Sequence, residues 1–140
     1  MIKLGICGHF GIGLNLLNGQ TIKTKIITNE FKRQLGKEEV NIVDTQGGLK
    51  KILRMCIETR GLFHKCENIM IAPARRGLLL FVPLCTLYNL FYHRKLHYIV
   101  IGGWLNEYLN EHQWIEKKLK KFDTICVETA TMKTALEKRG

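Results

Sequence analysis

Ile2-Lys3-Leu4-Gly5-Ile6-Cys7-Gly8-His9-Phe10-Gly11-Ile12-Gly13 sets the reading of the whole chain. Ile2–Cys7 is an apolar run of strand length, and it runs into a loop with glycine at positions 8, 11 and 13. Glycine carries no side chain, so such a loop lets a backbone approach a phosphate or a sugar closely. Four further runs read as strands: Val40–Asp44, Asn68–Ala72, His97–Ile101 and Thr124–Glu128. Their starts lie roughly 25 to 40 residues apart with helical patterns between them, which favours parallel βαβ units over hairpins. Most are apolar at consecutive positions, as in a sheet covered on both faces. The expectation is α/β: a Rossmann-like, doubly wound parallel sheet of five or six strands in one domain, 1–140.

Spacing also marks the helices. Ile22, Ile26, Ile27, Phe31 and Leu35 form one stripe, with Gly36 as its stop. Leu49, Ile52, Leu53, Cys56 and Ile57 form a second, ending near Gly61. Trp104 to Lys121 holds one or two short helices with Ile115, Leu119 and Phe122 on a common face, and Thr129 caps a last helix that turns Met132, Ala135 and Leu136 inward. The fifteen residues Leu78–Tyr92 are almost all apolar, interrupted by Pro83 and flanked by Arg75, Arg76, His93, Arg94 and Lys95. A spanning helix needs roughly 20 residues. Two readings stand: a helix packed on the sheet, or one that also rests on a membrane surface with its flanking cations on lipid headgroups.

Composition narrows the function classes. Hydrophobic residues make up 46% of the 140 and charged residues 24%, ordinary values for a globular domain with one core. The formal charge of +10 implies an acidic partner: anionic lipid, a phosphorylated substrate or nucleic acid. Lys117, Lys118, Lys120 and Lys121 form a basic run, read as a solvated face or as a contact for anionic membrane or a lipid diphosphate. It lacks interleaved aromatics and a reader motif, which argues against nucleic acid. Met1–Gly8 is too short for a secretory signal core. The five cysteines, Cys7, Cys56, Cys66, Cys85 and Cys126, are odd in number and lack a C-x-x-C pair. Three sit in apolar patterns, as small buried thiols do in a reducing cytoplasm, so neither a disulfide framework nor a zinc site is expected. The five histidines show no metal spacing.

In an open parallel sheet ligands bind beyond the carboxyl ends of the strands, where the strand order reverses. With the order 3-2-1-4-5 that crevice opens between strands one and four. Gly8-His9-Phe10-Gly11-Ile12-Gly13 and Ile101-Gly102-Gly103-Trp104-Leu105 would then converge on it. His9 is placed to bond a sugar hydroxyl or a phosphate, or to serve the loop alone. Asn18, Gly19, Gln20 and Lys23 open the first helix as an anion seat, or as a plain N-cap with a solvated lysine. The loop is a poor dinucleotide fingerprint. Leu16 stands where the pattern wants Gly or Ala, and Asp44 lies 31 residues past Gly13 rather than about 20. Asp44 is read as a turn residue or, less readily, as a ribose-binding acid. No P-loop is present.

Together, Gly-His-Phe-Gly at 8–11, Asn-Gly-Gln-Thr-Ile-Lys-Thr at 18–24, Ile-Gly-Gly-Trp-Leu at 101–105 and Val-Glu-Thr at 127–129, then Met132-Lys133 and Leu136-Glu137, resemble the N-terminal domain of GT-B glycosyltransferases of the family 4 type from bacterial capsular and exopolysaccharide synthesis. The resemblance implies two Rossmann-like domains facing across a cleft, with the acceptor on the N-terminal one and most of the nucleotide-sugar donor on the other. It implies retention at the anomeric carbon, with Gly8, His9, Gly11 and Gly13 near the donor diphosphate and Gly102, Gly103 and Trp104 shaping the acceptor pocket. No cofactor is implied. The family's donor-side E-x7-E glutamates are not matched here. Glu30 and Glu38 have that spacing but fall at the end of the first helix and just after it, so no catalytic residue is assigned. The expectation is an acceptor-side half, inactive alone, completed by a donor-binding domain in the same or another chain, working in the cytoplasm at the inner membrane face on a lipid-linked saccharide. Competing readings are a small nucleotide-cofactor oxidoreductase and a non-enzymatic basic module on anionic lipid or nucleic acid.

Overall fold

Strands form where apolar residues run consecutively, and the most apolar of them sit at the centre. The computed structural model describes residues 1–10, 19–45, 51–73 and 75–139. Five strands, β1 (Ile2–Gly8), β2 (Val40–Asp44), β3 (Cys66–Ala72), β4 (Lys95–Ile99) and β5 (Thr124–Cys126), form one all-parallel sheet in the order β2-β1-β3-β4-β5. The register runs Ile6 to Ile42 and to Met70, then Met70 to His97, then His97 to Thr124.

The expected order 3-2-1-4-5 is therefore corrected. β3 lies beside β1, and the order reverses between β1 and β3 rather than between strands one and four. The reason is burial. Ile69, Met70, Ile71 and Ala72 are all buried, which an outer strand could not offer, whereas short β5 is half-exposed and suits an edge. Boundaries also move: β1 extends to Gly8, β3 starts at Cys66, β4 covers Lys95–Ile99 and β5 stops at Cys126.

Helices cover both faces. α1 (Gly19–Leu35), followed by a single 3₁₀ turn at Lys37–Glu39, lies over Leu4, Ile6, Val40 and Met70. On the opposite face α2 (Ile52–Lys65), α3 (Arg75–Tyr92), α4 (Leu105–Glu111) and α5 (Gln113–Leu119) enclose the larger core around Phe63, Ile71, Phe81, Tyr98 and Ile115. α6 (Ala130–Glu137) packs beside α4 with Met132 and Leu136 against that core, and Thr129 Oγ1 caps it by accepting from the Met132 N–H. The Ile115, Leu119 and Phe122 face is buried as the spacing implies.

Two helix stripes are corrected. α1 buries Thr21, Thr24 and Thr28, while Ile22 is exposed and Ile26 is 62% exposed. This helix lies too close to β1 for branched aliphatics. A Cβ added at Gly8 would stand 2.6 Å from Thr24 Cγ2, far inside van der Waals contact. α2 runs past Gly61 to Lys65 and buries Met55, Thr59, Leu62 and Phe63, leaving Leu53 75% and Ile57 63% exposed. Leu49 lies outside the described residues. Its inward face is set by β2 and by α3, which sequence periodicity does not see.

α3 turns Leu78, Phe81, Val82 and Cys85 to the sheet. It ends at His93, whose φ of 54° breaks the helix, and Asn89 Oδ1 and Nδ2 bond the Arg94 backbone N–H and C=O at 2.5 and 2.9 Å. Arg94 Nε donates to the Phe63 carbonyl at 2.8 Å, so this flanking cation closes the end of α2. No described helix is long and apolar enough to cross a membrane. Burial pushes the Cys7 thiol up to about 12 and raises those of Cys85 and Cys66, so these three are inert packing residues.

Candidate functional site at the carboxyl edge of the sheet

The candidate site is built around a close approach at Gly8. With no side chain there, the first turns of α1 rest directly on the carboxyl end of β1. His9 Nδ1 and Thr21 Oγ1 then stand 2.7 Å apart, joining the strand end to the helix start. Gln20 Nε2 donates to the Ala72 carbonyl at 3.0 Å and so ties α1 to the end of β3. Thr24 turns its hydroxyl back to the Gln20 carbonyl at 2.7 Å. Phe10 is buried, and its N–H donates to Asp44 Oδ1 at 3.0 Å, while the Thr45 N–H bonds the Gly8 carbonyl at 2.9 Å. Asp44 thus holds the turn at the end of β2 through Phe10.

The far side is built from the exit of β4. Gly102 has φ +94°, and a Cβ there would lie 3.0 Å from Trp104 Cδ1, so this turn needs glycine on both counts. Trp104 Nε1 donates to the Ile101 carbonyl at 3.0 Å, and its ring meets Tyr108 edge-on at 5.3 Å. Tyr108 in turn stacks on His112 at 4.1 Å. Glu128, just past β5, joins the two sides. Its Oε1 accepts from Lys23 Nζ at 2.6 Å, and the Gly102 backbone amide also favours its charged form. The Lys23 hydrogen bond chiefly, with help from Gly102, holds the Glu128 carboxyl below its usual range.

The structure therefore brings Gly8, His9, Gly19, Gln20 and Lys23 to one end of the sheet together with Gly102, Gly103 and Trp104. Gly11, Gly13 and Asn18 lie outside the described residues. Two details differ from expectation. The end of β3 stands between the two groups, and the Lys23 charge is directed at Glu128. Sequence reasoning also missed the start of α3, which follows β3 directly and brings a second helix N-terminus to the reversal point between β1 and β3. The four buried positions in a row in β3 were the signal that it is central. Among the described residues His9 Nε2 has no partner, and no group of His, Cys, Asp or Glu is arranged to hold a metal. The chemistry on offer is hydrogen bonding to hydroxyls and anions from backbone amides, an imidazole, and the aromatic edge at Trp104.

A sizeable cavity lies elsewhere. It is a trough of ≈ 730 Å³ along the outer edge of β2, between Val40–Asp44 and Lys51, Arg54, Glu58 and Lys65 of the α2 side. Its charges face one another, as in Arg54 to Glu58 at 3.8 Å, and it follows an unpaired strand edge. The carboxyl edge is the better site because separate segments converge there on few polar groups. No family model, no curated protein and no solved structure matches the chain.

Proposed function

We propose that the chain is the acceptor-binding part of a glycosyltransferase, taking a saccharide, lipid-linked, at the carboxyl edge of its sheet. One observation carries this reading. The segments that resemble the GT-B family are scattered over 8–11, 18–24, 101–105 and 127–129, yet their described residues gather at one edge, where His9 bonds Thr21 and Lys23 bonds Glu128. The all-parallel sheet places these strand exits at one edge in any case, so what supports a shared site is the pair of side-chain bonds that tie them together, His9 to Thr21 and Lys23 to Glu128. On this reading Trp104 and the Gly102-Gly103 turn bound the sugar, and His9 with the α1 N-terminus meets hydroxyl or phosphate oxygens. A second Rossmann-like domain, in the same polypeptide or another, holds the nucleotide-sugar donor, retention being the family's stereochemistry.

The test is calorimetric titration of the protein with a short-chain polyprenyl-diphosphate saccharide, the free polyprenyl diphosphate, a set of nucleotide sugars, and NAD. Binding of the saccharide conjugate over the unglycosylated diphosphate, weakened by His9→Ala and Trp104→Ala, is the expected result. NAD binding without saccharide binding would replace this reading with the cofactor oxidoreductase.

A further inference from the structure

The outward side of α3, with the flank of α2 beside it, exposes a run of large apolar side chains. α3 has no charged side chain from Gly77 to Tyr92, and its sheet side is already filled by Leu78, Phe81, Val82 and Cys85. Its opposite side presents Leu87, with Leu90 65% and Phe91 76% exposed. α2 lies alongside in the same direction, since Tyr88 Oη donates to the Cys56 carbonyl at 3.0 Å and Arg60 Nε to Tyr92 Oη at 3.3 Å. That places exposed Leu53 and Ile57 next to α3. On the other flank α5 packs against α3. Glu116 of α5 turns to Arg139 beyond α6, so helical spacing puts exposed Trp114 and half-buried Lys118 on the α3 side.

We propose that this surface lies on an anionic lipid bilayer, with Leu53, Ile57, Leu87, Leu90, Phe91 and Trp114 entering the headgroup boundary and the lysines of α5 meeting lipid phosphates. Charge selects the occupant. The patch is bordered by His93 just past α3 and Lys95 at the start of β4, and by Lys117 and Lys118 of α5 with Lys120 and Lys121 in the turn after it, within a chain of net charge +10. Two copies face to face would oppose these cations, whereas an anionic surface neutralises them. An aromatic residue beside lysines is what an interfacial contact uses. The helices lie in the surface plane and no described helix spans it. α3 runs antiparallel to the strands, so the carboxyl edge opens sideways along the membrane, within reach of a lipid-linked acceptor. The membrane contact itself does not rest on the glycosyltransferase reading, and the two fail separately.

The experiment is co-sedimentation with phosphatidylglycerol–phosphatidylcholine vesicles and with phosphatidylcholine alone, with Trp114 fluorescence quenching by brominated lipid in a Trp104→Phe background. Binding to the anionic vesicles, falling with added salt, and quenching of Trp114 are expected. The L90S/F91S double variant, whose sites are solvent-exposed and whose fold is checked by circular dichroism, lowers the affinity about tenfold or more. Lys117→Glu and Lys121→Glu each lower it about fivefold. Three results would each overturn the proposal. One is no binding to anionic vesicles. Another is binding indifferent to L90S/F91S. The third is a dimer in sedimentation velocity that L90S/F91S dissociates while vesicle binding is absent.

Discussion

The two faces of the sheet are built to different specifications. The face under α2, α3, α4 and α5 holds a large core of aromatic and branched side chains, with Phe63, Ile71, Tyr98 and Ile115 fully buried. The face under α1 has a small core of Leu4, Ile6, Phe10, Val40 and Met70, roofed by threonines. Beyond α1 it leaves His97, Ile99, Thr124 and Cys126 partly open. The difference teaches where stability resides and what shapes the candidate site. The large face supplies the apolar burial. The small face gives up burial so that α1 can press against Gly8 and deliver its first turn to the carboxyl edge.

That contrast can be broken by truncation. Phe63→Ala empties the large core and costs about 3–5 kcal/mol, read from urea unfolding of the intact chain. A cost below about 1 kcal/mol would show that the large face is not the main source of stability. A sharper probe is Gly8→Ala, whose new methyl must displace Thr24 Cγ2. It costs about 1–3 kcal/mol, and Thr24→Ser, which removes that Cγ2, recovers most of the loss in a double-mutant cycle. Independent costs would mean that α1 does not rest on Gly8.

On the same helix the sign reverses. Thr28 Oγ1 is buried with no partner among the described residues, so Thr28→Val stabilises by about 1 kcal/mol, visible as a raised Tm. The smallest effect comes from pH. Burial lowers the His97 value, and its Nε2–H donates to Asn68 Oδ1 at 3.1 Å, which is an acceptor only. Folded His97 resists protonation while the unfolded chain takes a proton near pH 6.5. Its contribution is thus present above pH 6.5 and lost as pH falls through its lowered folded value. The Glu128 carboxyl, also lowered, adds a loss in the same direction at more acid pH. Both groups are substantially exposed, so each is worth less than about 1 kcal/mol. His97→Gln removes the first step of the acid titration and leaves the second.

Much of the architecture was legible because it depends on local pattern. The run Ile2–Cys7 and the spacing of later runs gave parallel βαβ units, and Thr129 announced the cap of α6. What the sequence hid depends on partners distant along the chain. The α1 stripe pointed to Ile22 and Ile26, yet contact with Gly8 selects the threonine face. Strand order was open to the wrong choice because α1 and α2 read alike whichever neighbour β1 takes. Only the uninterrupted burial of Ile69–Ala72 distinguishes a central β3 from an edge. At the candidate site, the meeting of Gly8, His9, Gln20 and Gly102 at one end of the sheet was foreshadowed by glycine spacing and helix starts. The Lys23–Glu128 bridge joins positions 105 residues apart and has no local signature.

The most direct test of where this protein works is amide NMR of the labelled chain during titration with the polyprenyl-diphosphate saccharide. The account predicts that the largest shifts fall on Gly8, Thr21, Gly102 and Glu128 at the carboxyl edge. Shifts centred on Asn41, Arg54 and Lys65 would place binding in the trough beside β2 and contradict it.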